Sequence, residues 1–202
     1  MSTVKLAVIY YSQTGTIHSL AQEYAAGAEK AGAEVRLRQV AELAPRQAVD
    51  ANEKWKAHRE ETADVPEATA DDVLWADAVI FGTPTRYGNV ASQLKQYLDT
   101  LGPQWSQGLL ANKAYAGFTA SMTAHGGQES TLLALYNTIY HFGGVVVAPG
   151  YTDPLKFADG NPYGVSHVTG GNNSDPLTGV QDAALDHMAQ RVIHIAGRLK
   201  AA

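Results

Sequence analysis

Val4-Lys5-Leu6-Ala7-Val8-Ile9-Tyr10-Tyr11, followed at once by Ser12-Gln13-Thr14-Gly15-Thr16-Ile17, is the stretch on which the fold turns. Its first eight residues form a nearly continuous apolar run, the pattern of a strand covered on both faces within a parallel sheet. The next six carry three hydroxyls and a glycine. They lead into Ile17, Leu20, Ala21, Tyr24 and Ala28 at helical spacing, with Gly32 as a stop. Strand, hydroxyl-rich turn and helix in that order make the opening unit of an α/β fold.

The same alternation continues downstream. Glu34 to Val40, Asp77 to Gly82, Lys113 to Thr119 and Gly144 to Ala148 read as four more strands. Asn89 to Leu101, Gly127 to Phe142 and about Thr178 to Leu199 read as helices between and after them. Five short strands alternating with helices predict an open parallel sheet, and right-handed crossovers place helices on both faces. Two segments break the rhythm. Ala44 to Ala70 is charged and Ala-rich, with Pro45 and Pro66, and reads as an excursion of no visible purpose. Tyr151 to Pro176 is rich in Gly, Asn, Asp and Pro and reads as a long loop of the kind that serves function or packs on a partner.

Size and composition set the outer limits. A chain of 202 residues with 45% hydrophobic and 17% charged residues fits one globular domain over residues 1–202, with an insertion near 151–176. It has no Cys, so neither disulfides nor thiol chemistry enter. A net charge of −5 without a basic stripe argues against nucleic acid. No apolar run approaches the roughly 20 residues that span a bilayer, which argues against membrane insertion. Met1-Ser2-Thr3-Val4-Lys5 has no leader character, so a cytoplasmic protein is expected. The seven His include no HExxH spacing, so no metal site is expected, and no G-x-S-x-G elbow is present.

In a doubly wound sheet, ligands bind beyond the carboxyl ends of the strands. The loops after strands one, three and four are therefore the informative ones. Ser12 to Ile17 offers hydroxyls and a helix start that favours an anion. It lacks the Lys of a triphosphate loop, so it suits a terminal monophosphate, although Ser and Thr also serve as plain helix caps. Gly82-Thr83-Pro84-Thr85-Arg86-Tyr87-Gly88-Asn89 lets backbone approach a flat ring, or simply starts a helix at Asn89. Ser121-Met122-Thr123-Ala124-His125-Gly126-Gly127 suits a second close approach, or an ordinary loop.

YYSQTG, GTPTRYGN, GGQES and the late NPYG (Asn161 to Gly164) and Gly170-Gly171 resemble the WrbA family of NAD(P)H:quinone oxidoreductases along nearly the whole chain. The resemblance implies a flavodoxin-like three-layer fold, with a five-stranded parallel sheet in the order 2-1-3-4-5 and an insertion after strand five. It implies FMN as cofactor, with its phosphate held by Ser12, Gln13, Thr14, Gly15, Thr16 and Ile17. Pro84, Thr85, Arg86, Tyr87 and Gly88 would line the isoalloxazine. Ser121, Met122, Thr123, Ala124, His125, Gly126 and Gly127 would wrap its pyrimidine side and ribityl chain. His141 matches a histidine that reaches the flavin from a neighbouring subunit, and Trp105 an aromatic that shapes the substrate site. On residues alone, a lone His near a helix end such as His141 is more often a capping or packing residue, and Trp105 is a core or surface tryptophan. Arg86 and His141 are the candidate catalytic residues. Thr14 stands where the family often has an aromatic, and Thr123-Ala124-His125 is poorer in Gly than its counterpart, which leaves NADH against NADPH open.

The implied reaction is a two-electron ping-pong one. NADH or NADPH gives a hydride to the flavin, and a quinone then takes the electrons at the same face. A homotetramer is implied as well. The competing readings are a flavodoxin-type electron carrier and a non-catalytic FMN-binding interaction protein. The cofactor expectation has a simple check. Protein mixed with FMN and freed of excess should be yellow, and a colourless protein would count against it.

Overall fold

The computed structural model describes residues 3–201; Met1 and Ser2, on which the leader reading partly rests, lie outside them. The opening run forms β1 (Lys5–Tyr10), and the helix after its hydroxyl-rich turn is α1 (Thr16–Lys30). β2 (Glu34–Gln39), β3 (Ala78–Pro84), β4 (Ala114–Ser121) and β5 (Val145–Val146) follow the expected succession. All pairings are parallel and the order is β2-β1-β3-β4-β5. β1, β3 and β4 are the central strands, and they are the ones whose sequences run apolar without alternation.

Alternate residues of these strands feed two cores. Leu6, Val8, Tyr10, Ile80 and Phe118 face α1 and the long terminal helix α9 (Gly179–Lys200). Ala7, Ile9, Val79, Phe81 and Tyr115 face the other layer, α5 (Ser92–Thr100) and α7 (Gln128–Phe142). α5 starts three residues later than the sequence suggests. Arg86 and Asn89 exchange backbone hydrogen bonds of 2.8 and 3.0 Å across a tight turn, which holds Asn89 out of the helix.

The Ala44 to Ala70 excursion is mostly helical. It contains α2 (Arg46–Asp50) and α3 (Glu53–Glu61), the latter capped by the Asn52 side chain, and ends at α4 (Ala70–Trp75). α3 folds back over the carboxyl edge of the sheet, where the Trp55 indole donates to Glu42 at 3.0 Å. α6 (Gly102–Ser106) is a short turn after α5.

Among the described residues the sheet has six strands rather than five. The long loop carries α8 (Leu155–Asp159) and β6 (Val165–Val168), and β6 also pairs with β4. β5 takes the register of Ala114 and Tyr115, whereas β6 takes that of Phe118 to Ser121. The insertion follows β5 as expected, and it adds a strand of its own on the same side of β4, nearer the carboxyl edge. Within it, the buried Lys156 ammonium bonds Asp159 and, at 3.1 Å, the Gly164 carbonyl. Among the described residues, no helix is long and apolar enough to cross a membrane, and no group of three His, Cys, Asp or Glu could hold a metal ion.

Gly164 marks where β6 docks, because a Cβ there would lie 2.4 Å from the Gly117 carbonyl oxygen and 2.9 Å from Leu132. Gly164→Ala should therefore destabilise the protein by about 1–3 kcal/mol, read as a lower urea midpoint. An unchanged midpoint would mean that β6 is not packed as described.

Candidate functional site

The loops after β1, β3 and β4 meet around a cavity of about 400 Å³ at the carboxyl edge of the sheet. Ser12, Gln13, Thr14, Thr16 and Ile17 line it from the first loop, and Pro84, Thr85 and Arg86 from the second. Ser121, Met122, Thr123 and Gly126 line it from the third. Among the described residues, Arg86 is the one charged member of the lining.

Each wall has its own local cause. Gly15 takes φ 105° immediately before α1, a conformation that L side chains adopt only under strain, and turns the chain into the helix. Among the described residues, no side chain caps the N–H groups at this helix start, and no acidic residue lies in its first turn. Those donors and the dipole are left for an external anion. In the second loop, Tyr87 (φ 54°) and Gly88 (φ 77°) occupy the centre of the tight turn. Positive φ at both is the type I′ pattern. The turn presents the Tyr87 side chain wholly to solvent.

The loops are tied to one another. Arg86 Nη2 donates to Gln13 Oε1 at 2.6 Å, and Nη1 to the Thr85 carbonyl at 2.9 Å. Thr131 Oγ1 donates to Thr85 Oγ1 at 2.8 Å, which joins α7 to the second loop. A Cβ on Gly127 would stand 2.9 Å from Gly88 Cα, so these two backbones touch. Gly126 must likewise be bare, because a Cβ there would meet Ser121.

Sequence reasoning missed Ala120, Thr169 and Asn173 in the lining. Thr169 follows β6; its N–H donates to the Ser121 carbonyl at 2.9 Å and its hydroxyl to Asn173 Oδ1 at 2.6 Å. Asn173 Nδ2 in turn donates to Thr14 Oγ1 at 3.3 Å. The far end of the insertion therefore closes over the first loop. The available signal was Gly170-Gly171-Asn172-Asn173, in which Gly170 and Asn173 both adopt positive φ.

Some expected residues lie elsewhere. Gly15, Gly88 and Gly127 shape the backbone behind the lining, and Ala124 faces a neighbouring hollow beside Gln128 and His167. His125 is exposed at the tip of the third loop. Trp105 and His141 sit together at the opposite edge, where the indole donates to the His141 carbonyl at 2.6 Å. His141 lies about 20 Å along α7 from Gly127 at 1.5 Å per residue. Within one chain neither reaches the cavity. Tyr87 instead lines a second, open cavity of about 580 Å³, which shares Gln13 and Arg86 with the first and has Trp55 in its wall.

Behind the first loop lies a group that the sequence reading did not single out. Tyr10, His18 and His58 are all buried; the Tyr10 hydroxyl is 2.5 Å from His18 Nδ1, and the two imidazoles are 5.5 Å apart. Burial holds the His18 imidazole below its ordinary range. Burial, with His18 adding to it, holds His58 down at about 4.

The chain matches the family described as NADPH-dependent FMN reductase over residues 4–153. It is 46% identical over 197 residues to an NAD(P)H dehydrogenase (quinone) of Deinococcus radiodurans, covering 97% of each chain. It is 40% identical to another of that name from Sinorhizobium fredii, covering 96% of this chain and 98% of the relative. Among solved structures, it resembles a WrbA-like flavodoxin from Agrobacterium tumefaciens. That likeness has a TM-score of 0.65 at 22% identity, over 97% of this chain and 99% of the other.

The imidazole pair makes stability depend on pH. With both folded-state pKa values depressed, the neutral rings are favoured in the fold. Their contribution is fully present above the unfolded value near 6.5 and is lost as pH falls below it, for His58 toward about 4. The thermal midpoint should drop between pH 7.5 and pH 5, and His58→Gln should flatten that drop. An equally steep drop in the variant would remove His58 from the account.

Proposed function

The chain belongs to the NADPH-dependent FMN reductase family, and from that premise we propose that it is an FMN-dependent NAD(P)H:quinone oxidoreductase working by a two-electron ping-pong cycle. The observation that carries this reading is the meeting of two features in one cavity. An uncapped helix start suits a phosphate, and the same cavity runs on between Pro84 and Thr85 on one side and Ser121 to Thr123 and Gly126 on the other, a space that suits a flat ring.

The residues present fit FMN. Ser12, Thr14 and Thr16 supply hydroxyls beside the α1 N–H groups, with no carboxylate in the lining to repel a phosphate. Thr85, the Gly88 turn and Ser121 to Gly127 bound the space for the isoalloxazine and ribityl chain. FMN bound there would accept a hydride from NADH or NADPH and pass two electrons to a quinone. The protein holds and orients the reactants. Arg86, fixed by Gln13 and the Thr85 carbonyl, places a permanent positive charge at the mouth of the cavity, where it would stabilise negative charge that builds on reduction.

His141 and Trp105 enter this reading through a neighbour. They stand at the edge remote from the cavity, and a homotetramer would bring one chain's remote edge to another's cavity. The setting in the cell is cytoplasmic on this reading.

Three outcomes follow. Initial rates of NAD(P)H oxidation with benzoquinone should give parallel double-reciprocal lines; converging lines would overturn the ping-pong cycle, and no oxidation the enzyme itself. Arg86→Ala should lower the two-electron potential of bound FMN by about 30 mV, the weight of one lost charge-assisted interaction; an unmoved potential would take Arg86 out of the account. Light scattering should give the mass of four chains of 21.5 kDa each; a monomer would remove His141 and Trp105 from the site.

A further inference from the structure

The first loop contributes no charged side chain, and Arg86 is already engaged by Gln13 and the Thr85 carbonyl. A phosphate seated there would carry two negative charges against hydroxyls and helix N–H groups. One unexplained polar group lies directly behind it. His58, 4% exposed, comes from α3 in the excursion that the fold alone does not account for, and its Nδ1 has no hydrogen-bond partner among the described residues. A Cβ built on Gly15 would lie 3.8 Å from that nitrogen, so the ring backs onto the loop at the helix start.

We propose that His58 is a cofactor-linked cation: its imidazole takes up a proton when the FMN phosphate occupies the Ser12 to Thr16 loop, and so supplies the positive charge that the loop lacks. This rests on the FMN reading above and adds to it a residue that does not line the cavity.

The surroundings of His58 decide where the proton goes. From β1, Tyr10 reaches His18 rather than His58, and burial keeps its phenol protonated. Tyr10 therefore donates to His18 Nδ1, which fixes the His18 proton on Nε2. From α1, the His18 ring faces His58 at 5.5 Å and is neutral. From α3 itself, Arg59 opposes a charge on His58 and Glu61 favours it. The Glu61 carboxylate, 74% exposed, stands 4.0 Å from Nδ1, beyond hydrogen-bond reach. Without phosphate the balance favours the neutral ring, held at about 4. A nearby dianion favours the charged form of a buried base. Linkage makes the effect mutual, so protonation of His58 tightens phosphate binding by the factor by which phosphate raises its proton affinity.

Imidazole NMR signals of the full-length protein test this directly, with His58 assigned from the His58→Gln spectrum. Titrated alone, with inorganic phosphate, with riboflavin and with FMN, the His58 midpoint should rise by at least about one pH unit with FMN and rise with phosphate. It should stay in place with riboflavin, which lacks the phosphate. A midpoint unmoved by FMN, or moved equally by riboflavin, would overturn the inference. FMN fluorescence, read on the same samples, separates the two claims. Quenching with an unmoved midpoint defeats only the His58 proposal, whereas absence of quenching defeats the cofactor assignment as well. If His58→Gln does not fold, His18→Gln identifies the His18 signal, a cross-relaxation peak from that ring to its neighbour 5.5 Å away identifies His58, and the wild-type midpoints still decide.

Discussion

Parallel pairing of β1, β3 and β4 side by side forces every strand-to-helix connection of these three strands onto the same edge of the sheet. No other property of the chain matters as much to its chemistry. Three loops distant in sequence acquire a common floor, and the first of them opens α1 there with its N–H groups uncapped. The apolar strands that make this possible are buried on both faces, so the sheet is a rigid base for the loops.

On that base the loops are locked to each other by few contacts, each of a different kind. Gly88 against Gly127 is a backbone contact that any side chain would break. Thr131 to Thr85 is a hydroxyl pair, and Arg86 to Gln13 is a charge-assisted bond across the cavity mouth. Asn173 to Thr14 brings in the end of the insertion. This last tie gives the insertion a purpose. The chain between Val146 and Val165 leaves the sheet and returns beside β4, and its continuation past Val168 roofs the first loop.

How much of this could be read from the sequence depended on the length of each signal. β1, β3 and β4 were legible because doubly covered strands are long unbroken apolar runs. The three loops were legible because hydroxyls and paired glycines cluster after them. β6 was not, since four residues, Val165 to Val168, between a glycine and Thr169-Gly170-Gly171 leave no period to detect. His58 was hidden for another reason. It sits in a helix with a charged, weakly amphipathic sequence, and its burial comes from tertiary packing on the first loop. Trp105 and His141 carried no local signal; only the family resemblance pointed to them, and a single chain leaves them at the wrong edge for the cavity.

The excursion from Ala44 to Ala70 thereby gains a place in the site. Trp55 walls the open cavity next to Arg86, held by a Glu42 carboxylate that also accepts from Tyr11, Gln93 and the Ala44 N–H. His58 backs the loop on the other side. The central claim is that the three carboxyl-edge loops form one flavin site, and a crystal structure of the protein with FMN tests it most directly. The account predicts the phosphate on the Ser12 to Thr16 loop at the start of α1, and the ring between the Thr85 to Gly88 turn and Ser121 to Gly127. Density for FMN anywhere else on the molecule would contradict it.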